Sequence, residues 1–392
     1  MTGTIEFAEL AARPWDAVVI GAGPAGGLAA YLLARRGQRV LLVDRKAFPR
    51  EKACGCCLNS ASIEALRSSG LGAVLEGAED AEQARPLDRL ILRNSRRVVE
   101  LGLPGSLALS RGVLDGRLAQ AAVSAGAAFM PECVAHLQPA DKGSQRRIVL
   151  RKQGCEATVE ASLVIASDGL GGGVMDQEPG AKWAIARDAW IGLATTVDAG
   201  GCGLPRGTIN MFMGVGGYVG VVRMEEGRLH LAAAVHAGAC RDAGGPGRMM
   251  MRLIGDCGVQ VPQLADAAIL GTGPLTRRRR VIGGHRVLAA GDACGYVEPF
   301  TGEGIAWALR SAGELVRLLP ADLADWDASL IDRWRTAHRN VLGRHQLACR
   351  AIRYLLHRPR LGAGAVFLAQ KLPRLGEWCL RSTDRIFTTG VN

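Results

Sequence analysis

The sequence predicts an α/β fold, and three observations predict it. Near the N-terminus an apolar β-branched run, a glycine-rich turn, a helical stretch and a second apolar run follow one another. The middle of the chain alternates apolar with small residues, as antiparallel strands do, and the C-terminal part carries apolar side chains at helical spacing. With 392 residues the chain can bury a large core and form two domains around one ligand.

Residues 17–20 read as a strand that stops at Gly21-Ala22-Gly23-Pro24-Ala25-Gly26; residues 27–36 carry leucines at helical spacing, Gly37 caps them, and residues 39–43 form a second strand ending in Asp44. Gly21 permits the tight turn, Gly23 lets the backbone approach a pyrophosphate, and Gly26 allows the helix to pack closely on the strand. The phosphates then rest on a helix N-terminus, whose free N–H groups and dipole favour negative charge. Asp44 stands where a carboxylate can accept both ribose hydroxyls, with Arg45 beside it in the same cofactor-binding set. This half predicts a bound dinucleotide without separating FAD from NAD.

Composition narrows the function classes. The net charge of +11 comes mostly from arginine, since only six lysines occur, and the arginines run along the whole chain with no groove-reading motif or aromatic-interleaved stripe. Nucleic-acid binding is therefore not expected, and anionic cofactors need only a few of these arginines. Eleven cysteines in a long chain without a secretory signal point to reduced thiols and a cytoplasmic location. No window reaches the ~18 apolar residues of a membrane span, so the expectation is a soluble or at most peripheral protein.

A second phosphate-type site lies far downstream. Residues 286–290 read as a strand running into Gly291-Asp292-Ala293-Cys294; Pro299-Phe300-Thr301-Gly302-Glu303-Gly304 follows, then a helix over residues 305–319. Here the chain resembles the superfamily of geranylgeranyl reductases and p-hydroxybenzoate hydroxylase-like flavoprotein monooxygenases. The resemblance implies non-covalent FAD, with Asp292 on the ribityl chain and the N-terminus of the helix after Gly302-Glu303-Gly304 at the pyrimidine end of the flavin. Ser167-Asp168-Gly169 looks like the family's Asp-Gly motif, which serves FAD and pyridine nucleotide, and Arg111 matches the arginine that reaches the FAD pyrophosphate. The segment Phe48-Pro49-Arg50-Glu51-Lys52-Ala53-Cys54-Gly55 resembles the geranylgeranyl reductase version of its loop and implies that Cys54 lies near the flavin ring.

The family implies a Rossmann-type FAD-binding domain of glutathione reductase-like topology, with an inserted antiparallel-sheet substrate domain and a C-terminal helical segment. Mapped on this chain, the FAD-binding parts are residues 1–80, 109–175 and 276–325; the substrate parts are 81–108 and 176–275; the helical segment is 326–392. The reaction it implies has two halves: NAD(P)H reduces the flavin, and the reduced flavin passes its electrons to oxygen or to a carbon–carbon double bond.

The chain departs from the reductases at their aromatic substrate motif, Tyr-x-Trp-x-Phe-Pro. Tyr218 stands in place, but Trp and Phe-Pro are missing from Gly216-Gly217-Tyr218-Val219-Gly220-Val221-Val222-Arg223. Residues 189–235, with Glu226-Gly227 as a turn, read as antiparallel strands walling a chamber, with Met211, Phe212 and Met213 supplying soft apolar surface for a hydrophobic substrate. The missing motif tilts the sequence reading towards monooxygenation of a polyketide- or isoprenoid-like molecule. Double-bond reduction stands close behind, and a non-catalytic thiol sensor using Cys54, Cys56 and Cys57 is the third reading. Halogenation is disfavoured, because Ala189-Trp190-Ile191-Gly192 does not match the halogenase Trp-x-Trp-x-Ile-Pro motif. The thiols of Cys54-Gly55-Cys56-Cys57 lack metal-ligand spacing, so no metal site is expected. The run from Arg277 to Arg280 reads first as a solvated loop and second as a guide for an anionic nicotinamide cofactor, and residues 351–380 read as a segment that docks, closes over the chamber or lies on an anionic membrane.

Overall fold

The computed structural model describes residues 1–372 apart from 2, 13, 77–83, 142, 225–226, 299 and 301, and beyond them Arg374 and Glu377. A mixed sheet of eight strands carries the N-terminal motif. Its parallel part runs in the order Val287–Ala289, Cys155–Ala166, Trp15–Ile20, Val40–Val43, Ala128–Met130. Ala17, Val18, Val19 and the whole of Val40–Val43 are buried, as expected of strands covered on both faces, and this is why they read as unbroken apolar runs. The registers Ile20↔Val43, Ile20↔Ala166 and Ala289↔Ala166 bring four strand ends level at one edge. Gly21, Asp44, Ser167-Asp168 and Gly291-Asp292 are the residues that leave that edge. Open α/β sheets bind ligands at the carboxyl ends of their strands.

The motif helix is Pro24–Arg35 and begins before its expected start, because Pro24 fits the first helical position, where no N–H is needed. Gly37 takes φ +79° beyond its end. Arg111 opens the helix Arg111–Ser124, with Ser110 as the N-cap accepting from Val113 N at 3.3 Å. The last glycine motif feeds the helix Gly304–Leu318.

A second sheet of eight strands includes Ile191–Val197, Thr208–Gly214, Gly217–Arg223 and Leu229–Val235, and is antiparallel except where Thr208–Gly214 pairs in parallel with Arg85–Asn94. Gly227 takes φ +78° in the turn before the last of these; Glu226 lies outside the described residues. Alternation splits the sheet's side chains between two cores. Phe212, Val219 and Val221 pack on the helix Pro246–Gly255 through Met249, Met250 and Leu253. Met211 and Tyr218 face the other way, with Leu90, Leu101 and Trp190. Phe212 therefore does not line the chamber as expected: a period of two sends it to the face opposite Met211 and Met213.

Arg277–Arg279 is also not a solvated loop. It is a strand between Trp183–Ile185 and Gly295–Tyr296. Arg279 is buried, with its guanidinium 3.8 Å from the Trp183 ring, paired with Asp176 and donating to the carbonyls of Ala181 and Ala293. Carbonyls, a carboxylate and a ring replace its water, which is what makes a buried arginine tolerable.

The C-terminal part forms a long helix, Ser329–Leu356, and a terminal helix, Pro359–Lys371. Trp334, fully buried, fixes the long helix by donating from Nε1 to Ala289 O at 3.0 Å. The terminal helix places Val366 in the core that contains Met211 and Tyr218. Among the described residues no helix is long and apolar enough to cross a membrane.

Candidate cofactor and substrate site

The glycines of the first motif differ in what surrounds them. A Cβ on Gly26 would stand 1.8 Å from Gly21 O and 2.4 Å from Ser167 Oγ; one on Gly21, at φ +101°, would stand 2.4 Å from Ser167 O. These two positions are closed by backbone. Above Gly23 the nearest atoms are Nη2 of Arg111 and Nη2 of Arg50, each 3.5 Å from where a Cβ would stand. Gly23 thus sits at a helix N-terminus beneath two guanidinium groups, a cradle for a diphosphate.

The charges around it form a network. Arg111 donates from Nε and Nη2 to Asp115 Oδ1 and Oδ2 at 2.9 and 2.8 Å, and Arg50 reaches Asp115 at 3.2 Å and Asp44 at 3.4 Å. Asp115 is fully buried, so it is the counter-ion that holds both arginines in place. Burial works against the Arg111 charge, yet Asp115 and Cys54 more than offset it and raise its pKa. Arg50 Nε is buried without a hydrogen-bond partner among the described residues. Asp44 accepts from Ala22 N and Lys46 N, each at 2.9 Å, which fixes its carboxylate at the mouth of the turn.

Lys52 lies deeper. Its Nζ is 3.1 Å from where a Cβ on Gly169 would stand, and burial followed by Arg111 lowers its pKa, with Asp292 opposing. Burial raises the pKa of Asp292 against the pull of Lys52 and Arg111. Gly291, at φ +62°, packs against Ala25 and donates to Ser311 Oγ at 2.9 Å. Thus the motif residues Gly23, Arg111, Asp44 and Asp292 meet in one groove with Arg50, Lys52 and Asp115. These three were not singled out in the sequence, although Arg50 and Lys52 sit in the quoted segment and Asp115 follows Arg111 at the helical spacing of four. An orphaned guanidinium nitrogen, an open glycine beneath two cations and a carboxylate at the end of the second strand fit the diphosphate and ribose of FAD.

Two expected ligands do local work. Asp168 accepts from Val174 N at 2.9 Å, and Gly172 is needed because a Cβ there would lie 2.0 Å from Asp168 Cγ. Asp168 closes its own loop. Arg45 is exposed and leans on that loop, 3.4 Å from a Cβ placed on Gly171. Gly302 takes φ +77° and Gly304 opens the helix; Glu303, buried, accepts from the Cys349 thiol at 3.5 Å; Pro299 lies outside the described residues. Cys54 touches Arg111 and Cys56; hydrogen bonding to Cys56, then burial, raises its pKa well above the ordinary thiol value. Burial and Cys54 push Cys57 up to about 12, so neither thiol is activated as a thiolate.

The sheet face expected to wall a chamber is a buried apolar core that carries a polar cluster. Tyr218 packs edge-on against Phe300 at 5.0 Å, and burial, then Glu298, raises its pKa well above the phenol range. Glu298, also buried, pairs with His357 Nε2 at 3.2 Å, and the His357 ring stacks on Trp190 at 3.7 Å. Arg353 pairs with Asp188 on the same side. Glu298 and His357 carried no sequence signal, because they are about sixty residues apart and meet only through the fold. Among the described residues no cluster of three or more His, Cys, Asp or Glu suits a metal ion.

Comparisons with known proteins give the domain type and the fold. Residues 15–193 match the family model described as FAD binding domain. The chain is 27% identical over 338 residues to a digeranylgeranylglycerophospholipid reductase of Methanothermobacter thermautotrophicus, covering 84% of this chain and 85% of that one. It is 27% identical to the menaquinone reductase of Mycobacterium tuberculosis over 94% of this chain and 88% of that one. The p-nitrophenol 4-monooxygenase of Pseudomonas putida superposes with TM-score 0.74 at 16% identity, covering 96% of this chain and 99% of that one. At such identity the likeness shows the fold alone, and flavin-dependent halogenases share it too.

Proposed function

We propose that this chain, an FAD-dependent oxidoreductase, reduces carbon–carbon double bonds in the isoprenoid chain of a lipid or quinone. The observation that carries this reading is the position of residues 48–55. The segment most like the geranylgeranyl reductases supplies Arg50, Lys52 and Cys54 to the groove between Gly23 and Asp292. Full-length similarity to two reductases of prenylated molecules supports it. The missing Trp and Phe-Pro then mark a differently shaped chamber.

When bound, FAD supplies the hydride, and NAD(P)H is the proposed source of its electrons. The chain's residues do the rest. Arg50 and Arg111 would neutralise the diphosphate, Asp44 would take the ribose, and Lys52 and Asp292 would hold the part of the cofactor beyond it. Met211, Met213 and their apolar neighbours exclude water from an oily substrate. Saturating a double bond needs a proton as well as a hydride. Tyr218, kept protonated by burial and by Glu298, holds one at Oη beside the wall.

The test is anaerobic. Reduced holoenzyme mixed with a geranylgeranylated lipid or a menaquinone should reoxidise without oxygen and yield a product two mass units heavier per bond reduced. If reoxidation waits for oxygen and the product carries its label, the monooxygenase reading, favoured by the missing motif, replaces this one. Tyr218→Phe should slow reoxidation by substrate about 10- to 100-fold while leaving reduction by NAD(P)H unchanged.

A further inference from the structure

The net charge of the chain is concentrated in one place. Between residues 333 and 374 the sequence holds ten Arg and Lys and no Asp or Glu, so this stretch carries nearly all of the +11 and the remainder is close to neutral. The same stretch bears seven of the twelve large apolar side chains that are exposed among the described residues. Leu347 and Tyr354 lie seven apart on one face of Ser329–Leu356; Leu361 and Leu368, also seven apart, share a face of Pro359–Lys371, and exposed Leu372 follows its end. Arg344, Arg350 and Arg360 are exposed around them and make no ion pair among the described residues.

Exposed apolar rows rimmed by unpaired cations are the pattern of a helix that lies in a bilayer interface, with its apolar face among the acyl chains and its arginines at anionic headgroups. We propose that the two C-terminal helices dock this protein on the surface of an anionic lipid bilayer. Charge selects this occupant over a second copy of the chain, because a second copy would bring its own exposed Arg344, Arg350 and Arg360 against those of the first. Docking also has a geometric consequence. The terminal helix that meets the lipid buries Val366 against the wall holding Met211 and Tyr218, so an isoprenoid chain can pass from bilayer to chamber along that helix. The docking surface stands on its own charge and exposure; only this route rests on the lipid-reductase reading.

Vesicle flotation with FAD-loaded full-length protein tests the docking without any turnover. Protein should float with phosphatidylglycerol-containing vesicles and stay behind with pure phosphatidylcholine, and about 1 M salt, where screening acts beyond roughly 3 Å, should release most of it. Reversing Arg344, Arg350 and Arg360 to Glu should lower binding at least tenfold, as should Leu361→Ser with Leu368→Ser, both sets retaining FAD and a normal melting curve. Absence from anionic vesicles would overturn the proposal, and so would flotation that neither set of substitutions changes. A concentration-dependent dimer that the leucine substitutions dissociate would assign the face to self-association instead.

Discussion

The cofactor groove and the substrate chamber are built on opposite rules. In the groove, identity is dictated atom by atom: Gly21 and Gly26 leave no room for a Cβ, and Asp44, Asp115 and Asp292 each face a stated cation or N–H. On the sheet face proposed to hold substrate, Met211, Met213, Leu90 and Leu101 need only be apolar and of suitable size, and the cluster of Tyr218, Glu298 and His357 comes from three distant segments. A groove of the first kind binds one ligand and tolerates little change. A chamber of the second kind can change substrate by substitution while the cofactor half stays fixed, which is how one fold serves reductases, monooxygenases and halogenases.

The sharpest way to break that contrast is to add one carbon on each side. Gly26→Ala puts a methyl 1.8 Å from a backbone oxygen, where neither the strand nor the helix can yield. The expected result is loss of FAD from the purified protein and a stability penalty of about 3 kcal/mol or more. A conservative chamber change, Met211→Leu, should cost under about 1.5 kcal/mol and leave FAD in place. Equal effects in urea titrations of the two variants would end the distinction.

Smaller losses belong to the carboxylates. Asp44→Ala and Asp292→Ala each remove a charged hydrogen-bonding partner without disturbing the packing, so FAD affinity should fall about 10- to 100-fold with the fold retained. Calorimetric titration of FAD into the apoprotein measures it. Asp168→Ala should instead act on the loop that Asp168 closes, lowering the melting temperature more than the affinity. If Asp168→Ala matches Asp292→Ala in lost affinity, the self-contained role of Asp168 is wrong.

This contrast also explains what the sequence could reveal. The strand–turn–helix–strand unit and the places of Arg111 and Asp292 beside it were legible, because close backbone approach and buried parallel strands restrict residue type in fixed order. Phe212 was misplaced because a run of Met-Phe-Met shows its composition before its alternation. Arg279 read as solvated because nothing local distinguishes a buried arginine from an exposed one; its partners, Asp176, Ala181 and Ala293, come from two other segments. Glu298 and His357 were invisible for the same reason. The charge of residues 333–374 was present in the sequence but hidden by arginines elsewhere, whose acidic partners balance them.

The smallest expected effect concerns the joint between the two halves, where the cofactor helix Gly304–Leu318 meets the long helix that leads to the chamber roof. His345 is buried there, and burial followed by Arg310 lowers its pKa to about 4, against about 6.5 in the unfolded chain. Its folded pKa is depressed, so the unfolded state binds the extra proton first as pH falls. The neutral ring's contribution is complete above about pH 6.5 and is lost progressively towards pH 4, where the folded form protonates as well. The loss amounts to about 3 kcal/mol over that window. Urea midpoints of the holoenzyme should therefore fall more steeply between neutral and mildly acid pH than those of His345→Gln, which lacks the titrating ring. Parallel curves would show that the joint does not depend on a neutral His345.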